Sequence, residues 1–130
     1  MGKEDLILMA GVSSYLIFLF GGWDELLMIL VACVVMDYVM GVAIAAIRKK
    51  LSSKVGFRGI AKKMFLFFLV AVANFLDTLL WENHMIRDAT ILFYICNEVV
   101  SMIEHARSIG VPIPDTLKKG IELIKSRFKK

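Results

Sequence analysis

Little in this sequence of 130 residues is equipped for covalent chemistry. It has two cysteines, Cys33 and Cys96, each inside an apolar run, and no CxxC pair. They read as two small buried thiols rather than a disulfide framework or a zinc site. Its two histidines, His84 and His105, have no metal-ligating partner at useful spacing. The pairs Ser13-Ser14 and Ser52-Ser53 have no base nearby in sequence, and there is neither a phosphate-binding loop nor a dinucleotide fingerprint. An enzyme is therefore not expected, and no cofactor or metal is implied. Internal repeats and low-complexity segments are also missing. A proton-relay transporter would call for a longer chain or inverted repeats.

Acidic residues are missing from one long stretch, Arg48–Lys63 (RKKLSSKVGFRGIAKK), which carries Arg48, Lys49, Lys50, Lys54, Arg58, Lys62 and Lys63. Apolar runs flank it on both sides. The chain is 58% hydrophobic with a mean hydropathy of +0.72, whereas average soluble domains are about 45–50% apolar. Polar groups in a chain of this size cannot cover so much apolar surface, so lipid is the expected solvent. The net charge of +4 concentrates in the central stretch and the C-terminal tail. That distribution points to anionic lipid, and no nucleic-acid motif accompanies it.

The spacing predicts an all-α, polytopic membrane protein with a transmembrane domain over 1–110 and a basic cytoplasmic tail over 111–130. Four spans are expected at about 5–22, 25–47, 64–81 and 88–107. Only three cross if the first run, Leu6–Phe20, is interfacial, since it is short for a span of ~20 residues. Gly21-Gly22 breaks the chain and Trp23 suits an interface. Asp24 and Glu25 sit near the start of the second helix, and Arg48-Lys49-Lys50 stops it. Residues 48–63 are expected as a basic cytoplasmic loop, with 51–63 a loop or short surface helix, because cationic loops resist translocation. Val111-Pro112-Ile113-Pro114 breaks the chain again. Beyond it Leu117, Ile121, Ile124 and Phe128 recur at helical spacing among Lys118, Lys119, Lys125, Arg127, Lys129 and Lys130. That is a basic amphipathic helix for the inner membrane surface. Both termini are then cytoplasmic. MGKEDL has one Lys against two acids and does not read as a cleavable signal.

Polar residues inside the apolar runs are the candidate functional positions. Asp37 and Glu98 each sit ~15–18 Å deep, near the midplane. No Lys or Arg is placed at that depth by the linear reading. Each acid is expected to be protonated, hydrogen-bonded to Asn74, Asn97 or Tyr38, or facing water along a pore or subunit contact. Asn97, Ser101 and Glu104 share one helical face, Asn74 and Asp77 another. Gly41 and Ala45 form a small-xxx-small pair that lets helices approach closely.

Six blocks then carry a family resemblance: GGWD at Gly21–Asp24, MDYVMG at Met36–Gly41, SSKVGFRGIAKK at Ser52–Lys63, VAVANFLD at Val70–Asp77, ILFYICNE at Ile91–Glu98 and GVPIP at Gly110–Pro114. In order and spacing the chain resembles phage holins of the toxin-secretion and phage-lysis type, including holin-like proteins of clostridial toxin loci. The resemblance implies a small membrane protein of Gram-positive bacteria or their phages. It implies homo-oligomers that permeabilise the membrane at a set time, releasing an endolysin or a large toxin, with an antiholin as a further partner. A non-lytic module, such as an antiholin-like regulator, small channel or scaffold, is the alternative. The family supplies no catalytic residues.

Overall fold

The computed structural model describes residues 1–81 and 83–128. It contains five helices: α1 (Lys3–Leu19), α2 (Glu25–Ile47), α3 (Ser53–Leu80), α4 (Met85–Ser108) and α5 (Asp115–Phe128). No strand occurs among the described residues, as the apolar periodicity anticipates. Lys129 and Lys130, two of the tail cations, lie outside the described residues.

Local chemistry sets the boundaries. Asp24 caps α2 by accepting from the Leu27 N–H at 3.0 Å, and Ser52 caps α3 by accepting from Val55 N–H at 3.2 Å. Each satisfies one of the orphan donors at a helix start. The Ser52 cap also corrects the expected loop over 48–63. Only 48–52 connect α2 to α3, and the rest of the basic stretch is the first part of a single 28-residue helix. The reason is that Ser53–Lys63 holds no helix breaker stronger than Gly56 and Gly59, and both glycines pack against Tyr38 of α2. A Cβ on Gly56 would lie 3.3 Å from the Tyr38 hydroxyl, and one on Gly59 3.5 Å from the ring. Small residues here let α3 lie close to α2 before its apolar segment begins.

α2, α3 and α4 form the bundle. α4 packs most extensively on α2 and next on α3, while α1 approaches only α3. The core is Leu27, Leu30, Cys33 and Val34 of α2, Leu66 and Val70 of α3, and Ile91 and Ile95 of α4. Phe20 closes one end, edge-on to Phe67. Both cysteines are buried and free. The outer surface is as apolar as the core. Exposed positions include Met28, Ile29, Val35, Met36 and Val39 on α2, Phe65, Phe68, Leu69, Val72 and Leu79 on α3, and nearly all of α1, which has no buried residue. A surface of this kind suits lipid. α2 and α3 are each long and apolar enough to cross a membrane. α1 has 17 residues and α4 has 24 with several polar members, so helix length and composition mark α2 and α3 as the two candidate spans.

The α1–α2 turn depends on Gly21 and Gly22, whose φ angles are +80° and +104°. A Cβ on Gly21 would also lie 2.5 Å from Asn74 Oδ1 and 2.9 Å from Arg87 Cδ, whereas one on Gly22 meets nothing. Gly22→Ala should therefore cost the backbone term alone, about 1–3 kcal/mol. Gly21→Ala should cost distinctly more, read as the lower midpoint of the two in thermal unfolding of the detergent-solubilised protein. Equal midpoints would show that the turn relaxes around the added methyl.

Candidate functional site: two polar layers in an apolar bundle

The buried polar side chains form two layers separated by the apolar core. The lysine layer takes one member from each of the three bundle helices. Lys63 Nζ lies 2.6 Å from Asp37 Oδ2 on α2 and 2.8 and 2.6 Å from the two oxygens of Glu98 on α4. Ser101 donates to Asp37 Oδ1 at 2.9 Å. His105 Nδ1 lies 3.0 Å from the same oxygen, out of line for a hydrogen bond. Asp37 is 3% exposed and Glu98 5%. The layer is thus closed within one protomer.

This corrects the expectation that no base reaches the two acids. Lys63 lies ten residues into α3, ~15 Å from its start, level with Asp37 ten residues before the end of α2 and Glu98 ten before the end of α4. With 48–63 expected as a loop, Lys63 would stand at the membrane surface; the early start of α3 is what raises it to the depth of the two acids. Two carboxylates against one ammonium leave the layer one negative charge in excess. Buried charges held this way are costly to make and more costly to break, because the surviving partner keeps its desolvation penalty.

The arginine layer lies at the opposite end, where the α1–α2 turn meets the α3–α4 turn. Arg87 is fully buried. Its guanidinium donates to both Asp24 oxygens at 2.8 and 3.1 Å, to Asp88 Oδ1 at 2.9 Å, and to the carbonyls of Gly22 at 3.2 Å and Phe20. This is the planar fork for which lysine has no equivalent. Asp77 of α3 accepts from the backbone N–H groups of Ile86 and Arg87 at 2.9 and 2.8 Å, capping α4 from a neighbouring helix, since His84 at the N-cap position makes no side-chain cap. Asn74 does the reverse for α1, donating to the carbonyls of Phe18 and Leu19 at 3.3 and 3.0 Å. The end of α1 and the start of α4 thus have free backbone groups met by side chains of α3.

Among the sequence candidates, Asp37, Glu98 and Ser101 are thus brought together, and Asn74 and Asp77 join the other layer. Asn97 stands apart on the exposed face of α4. Gly41 is half-buried and makes room for His105, whose Cε1 would lie 3.5 Å from an added Cβ; Ala45 is half-buried one turn on. Arg48 donates to the Ser108 carbonyl at 3.3 Å and joins the ends of α2 and α4. Lys49, Lys50, Lys54, Arg58, Lys62, Lys118, Lys119, Lys125 and Arg127 are exposed. Linear reading passed over Arg87 and His105 as functional positions. The available signal for Arg87 was an arginine beside Asp88 at the head of an apolar helix, with GGWD able to supply a second carboxylate. Among the described residues no three His, Cys, Asp or Glu side chains converge to hold a metal ion.

Removing the shared ammonium by Lys63→Met should destabilise the bundle by about 3–5 kcal/mol, the range for breaking a buried pair. Asp37→Asn and Glu98→Gln combined with Lys63→Met should recover most of that loss in denaturant titrations of detergent-solubilised protein. A triple variant no better than Lys63→Met would show that the layer is held by packing rather than charge. At the other layer, the hydrogen bond from Arg87 holds the Asp24 carboxyl below its ordinary 3.8. A depressed folded-state pKa contributes stability that is fully present above the unfolded value and lost as pH falls through the folded one. Stability should therefore decline as pH drops below about 4. Asp24→Asn, which keeps a capping oxygen, should flatten that decline in melts recorded across the acid range, and an unchanged slope would assign the acid loss to other carboxyls.

Residues 14–126 match the sequence profile of the bacteriophage holin family. Over 124 residues the chain is 40% identical to an uncharacterized protein of Halalkalibacterium halodurans, covering 92% of this chain and 89% of that one. It is 40% identical over 108 residues to an uncharacterized protein of Listeria monocytogenes, covering 83% and 77%. A 14.9 kDa protein from the nagH 3′ region of Clostridium perfringens is 37% identical over 110 residues, covering 84% and 83%. No solved structure matches. With an apolar exterior, two helices fit to cross a bilayer and a profile match over most of its length, the chain is a non-enzymatic membrane protein that belongs to the bacteriophage holin family.

Proposed function

We propose that this chain acts as a holin: copies accumulate in the bacterial cytoplasmic membrane, associate laterally, and permeabilise it so that an endolysin or a large toxin leaves the cell. The family match over residues 14–126 carries this reading. The physical features are compatible with it. A chain of 130 residues is too small to enclose a protein-sized hole, so a lesion requires many copies. The protomer satisfies its own buried charges, which allows it to persist in lipid before association.

The proposed topology has four spans and both termini inside. α4 at ~36 Å is long enough to cross a hydrocarbon core of ~30 Å, and α1 at ~26 Å crosses with local thinning of the bilayer. Arg48, Lys49, Lys50, Lys54 and Arg58 gather toward one end of the bundle, with Lys62 a further turn along α3, and the positive-inside rule assigns that end to the cytoplasm. The arginine layer is then external. Anionic lipid is the proposed ligand of the basic surface at the inner end, at ~1 kcal/mol per well-placed Lys or Arg.

Inducible expression in a Gram-positive host, with and without a cytoplasmic endolysin, tests the reading. Dye entry should begin abruptly after a delay in both strains, and optical density should fall only where the endolysin is present. Lys54→Cys should resist external thiol reagent until onset, while Asn83→Cys reacts throughout. Full membrane abundance without dye entry would overturn the lytic reading and leave an antiholin-like regulator, channel or scaffold.

A further inference from the structure

Beyond the lysine layer α2 and α3 expose almost only apolar side chains, whereas nearer the basic end α3 also exposes Lys54, Arg58 and Lys62. Between Leu26 and Ile47, α2 exposes only apolar side chains: Met28, Ile29, Ala32, Val35, Met36 and Val39, then alanines and Ile47 at the basic end. From Met64 to Leu80, α3 does the same, apart from Thr78, whose hydroxyl donates to the Asn74 carbonyl of its own helix at 3.0 Å. α4 is different. Its exposed stripe runs through Ala89, Phe93, Asn97, Glu104 and Arg107, becoming polar from the middle of the helix to the basic end. Asn97 lies twelve residues from the start of α4, ~18 Å along it. A polar side chain at that depth facing hydrocarbon is costly and calls for water or a polar partner.

A second observation concerns the same face. After the Gly110–Pro114 break, α5 folds back along α4. A groove between them is lined by Ala89, Phe93, Cys96, Asn97, Ile124 and Lys125. Lys125 lies ten residues along α5, and Asn97 lies eleven residues before the end of α4. Both are therefore about 15–17 Å from the turn that joins the helices. The pairing is level, so α5 carries its cations past the basic end and up to the middle of α4. Lys118, Lys119, Lys125 and Arg127 are all exposed there. Hydrocarbon does not accept four exposed cations on one short helix. Where α5 holds this position, the α4–α5 side faces water, while the exposed surface of α2 from Leu26 to Ile47 and that of α3 from Met64 onward face lipid.

We infer that the exposed stripe of α4, with α5 folded over it, is the wall that faces the aqueous lumen when copies of this chain assemble. The buried carboxylates do not face it. Asp37 and Glu98 point to the interior of the protomer and are held there by Lys63. The lumen wall is instead cationic, supplied by α5, with Asn97 the deepest polar group that α4 contributes. This inference rests on the lytic reading above and adds to it the face that meets water.

Cysteine accessibility tests the assignment in the full-length chain carrying Cys96→Ser, since Cys96 lines the same groove, with the buried native Cys33 setting the background. Asn97→Cys and Phe93→Cys probe the α4 stripe at two positions, so a folding failure of one leaves the other. Phe68→Cys on α3 and Val39→Cys on α2 stand at comparable distances from their helix ends and are exposed on the apolar sides. A charged, membrane-impermeant thiosulfonate is applied to cells before and after the onset of dye entry. Modification of both α4 positions should rise about tenfold or more at onset, since only a hydrated thiol ionises and reacts, while Phe68→Cys and Val39→Cys stay at background. Dye entry with both α4 positions unmodified would overturn the inference and leave the lytic reading intact, placing lipid or a second copy over the stripe. Dye entry with Phe68→Cys or Val39→Cys modified equally would overturn it as well, because water would then reach every face. A chain that never admits dye removes the lytic reading and this inference with it.

Discussion

Lys63 imposes the tightest constraint on this molecule. Its ammonium must reach Asp37 on α2 and Glu98 on α4 from a position on α3. In an apolar surrounding neither carboxylate has water to fall back on, so the three helices are rotated to bring these side chains together. Several other features serve the same geometry. Gly56 and Gly59 let Tyr38 close against α3 just before Lys63, and the Tyr38 hydroxyl donates to the Gly56 carbonyl at 3.3 Å. Gly41 leaves room for the His105 ring beside Asp37. α3 has to start well ahead of its apolar segment, because ten residues of helix raise Lys63 from the basic end to the level of Asp37 and Glu98.

The arginine layer solves a different problem. Four helix termini meet there, and each would otherwise leave backbone groups unpaired among apolar side chains. Asn74 and Asp77, three residues apart and on one face of α3, answer two of these ends, and Arg87 gathers the carbonyls of the α1–α2 turn. The left-handed glycines aim those carbonyls at the guanidinium. Between the layers lies a core without polar groups, held by side-chain packing, which is the contribution that remains when lipid is as apolar as the interior.

A protomer built this way leaves its outer faces free for association. α1 hangs from α3 by its last turn and exposes every other side, and α4 carries the polar stripe beneath α5. The resemblance blocks and the two layers coincide in an instructive way. GGWD supplies Gly21 and Asp24, MDYVMG supplies Asp37, Tyr38 and Gly41, and SSKVGFRGIAKK supplies Ser52, the two glycines and Lys63. VAVANFLD supplies Asn74 and Asp77, and ILFYICNE supplies Glu98. The motifs by which the family is recognised in this chain are the residues that hold the bundle together.

Much of this was written in the linear order of residues. Apolar runs at helical length, the acids Asp24 and Glu25 at the start of α2, the Gly21-Gly22 break and the clustering of cations each act through neighbours within a few positions, so sequence alone determined an all-helical membrane protein and the extents of α2 and α5. It also marked Asp37 and Glu98 as costly, because the energy of a charge in hydrocarbon depends on depth along its own helix. Tertiary structure decided what offsets that cost. A lysine counted as surface charge became the partner of both acids, an arginine just outside the expected fourth span became fully buried, and Asn97 was turned outward while Glu98 beside it turned in. Partner choice depends on helix rotation and side-chain reach across 26 to 67 positions of sequence. No local pattern records those quantities, because they are fixed only when three helices pack at once.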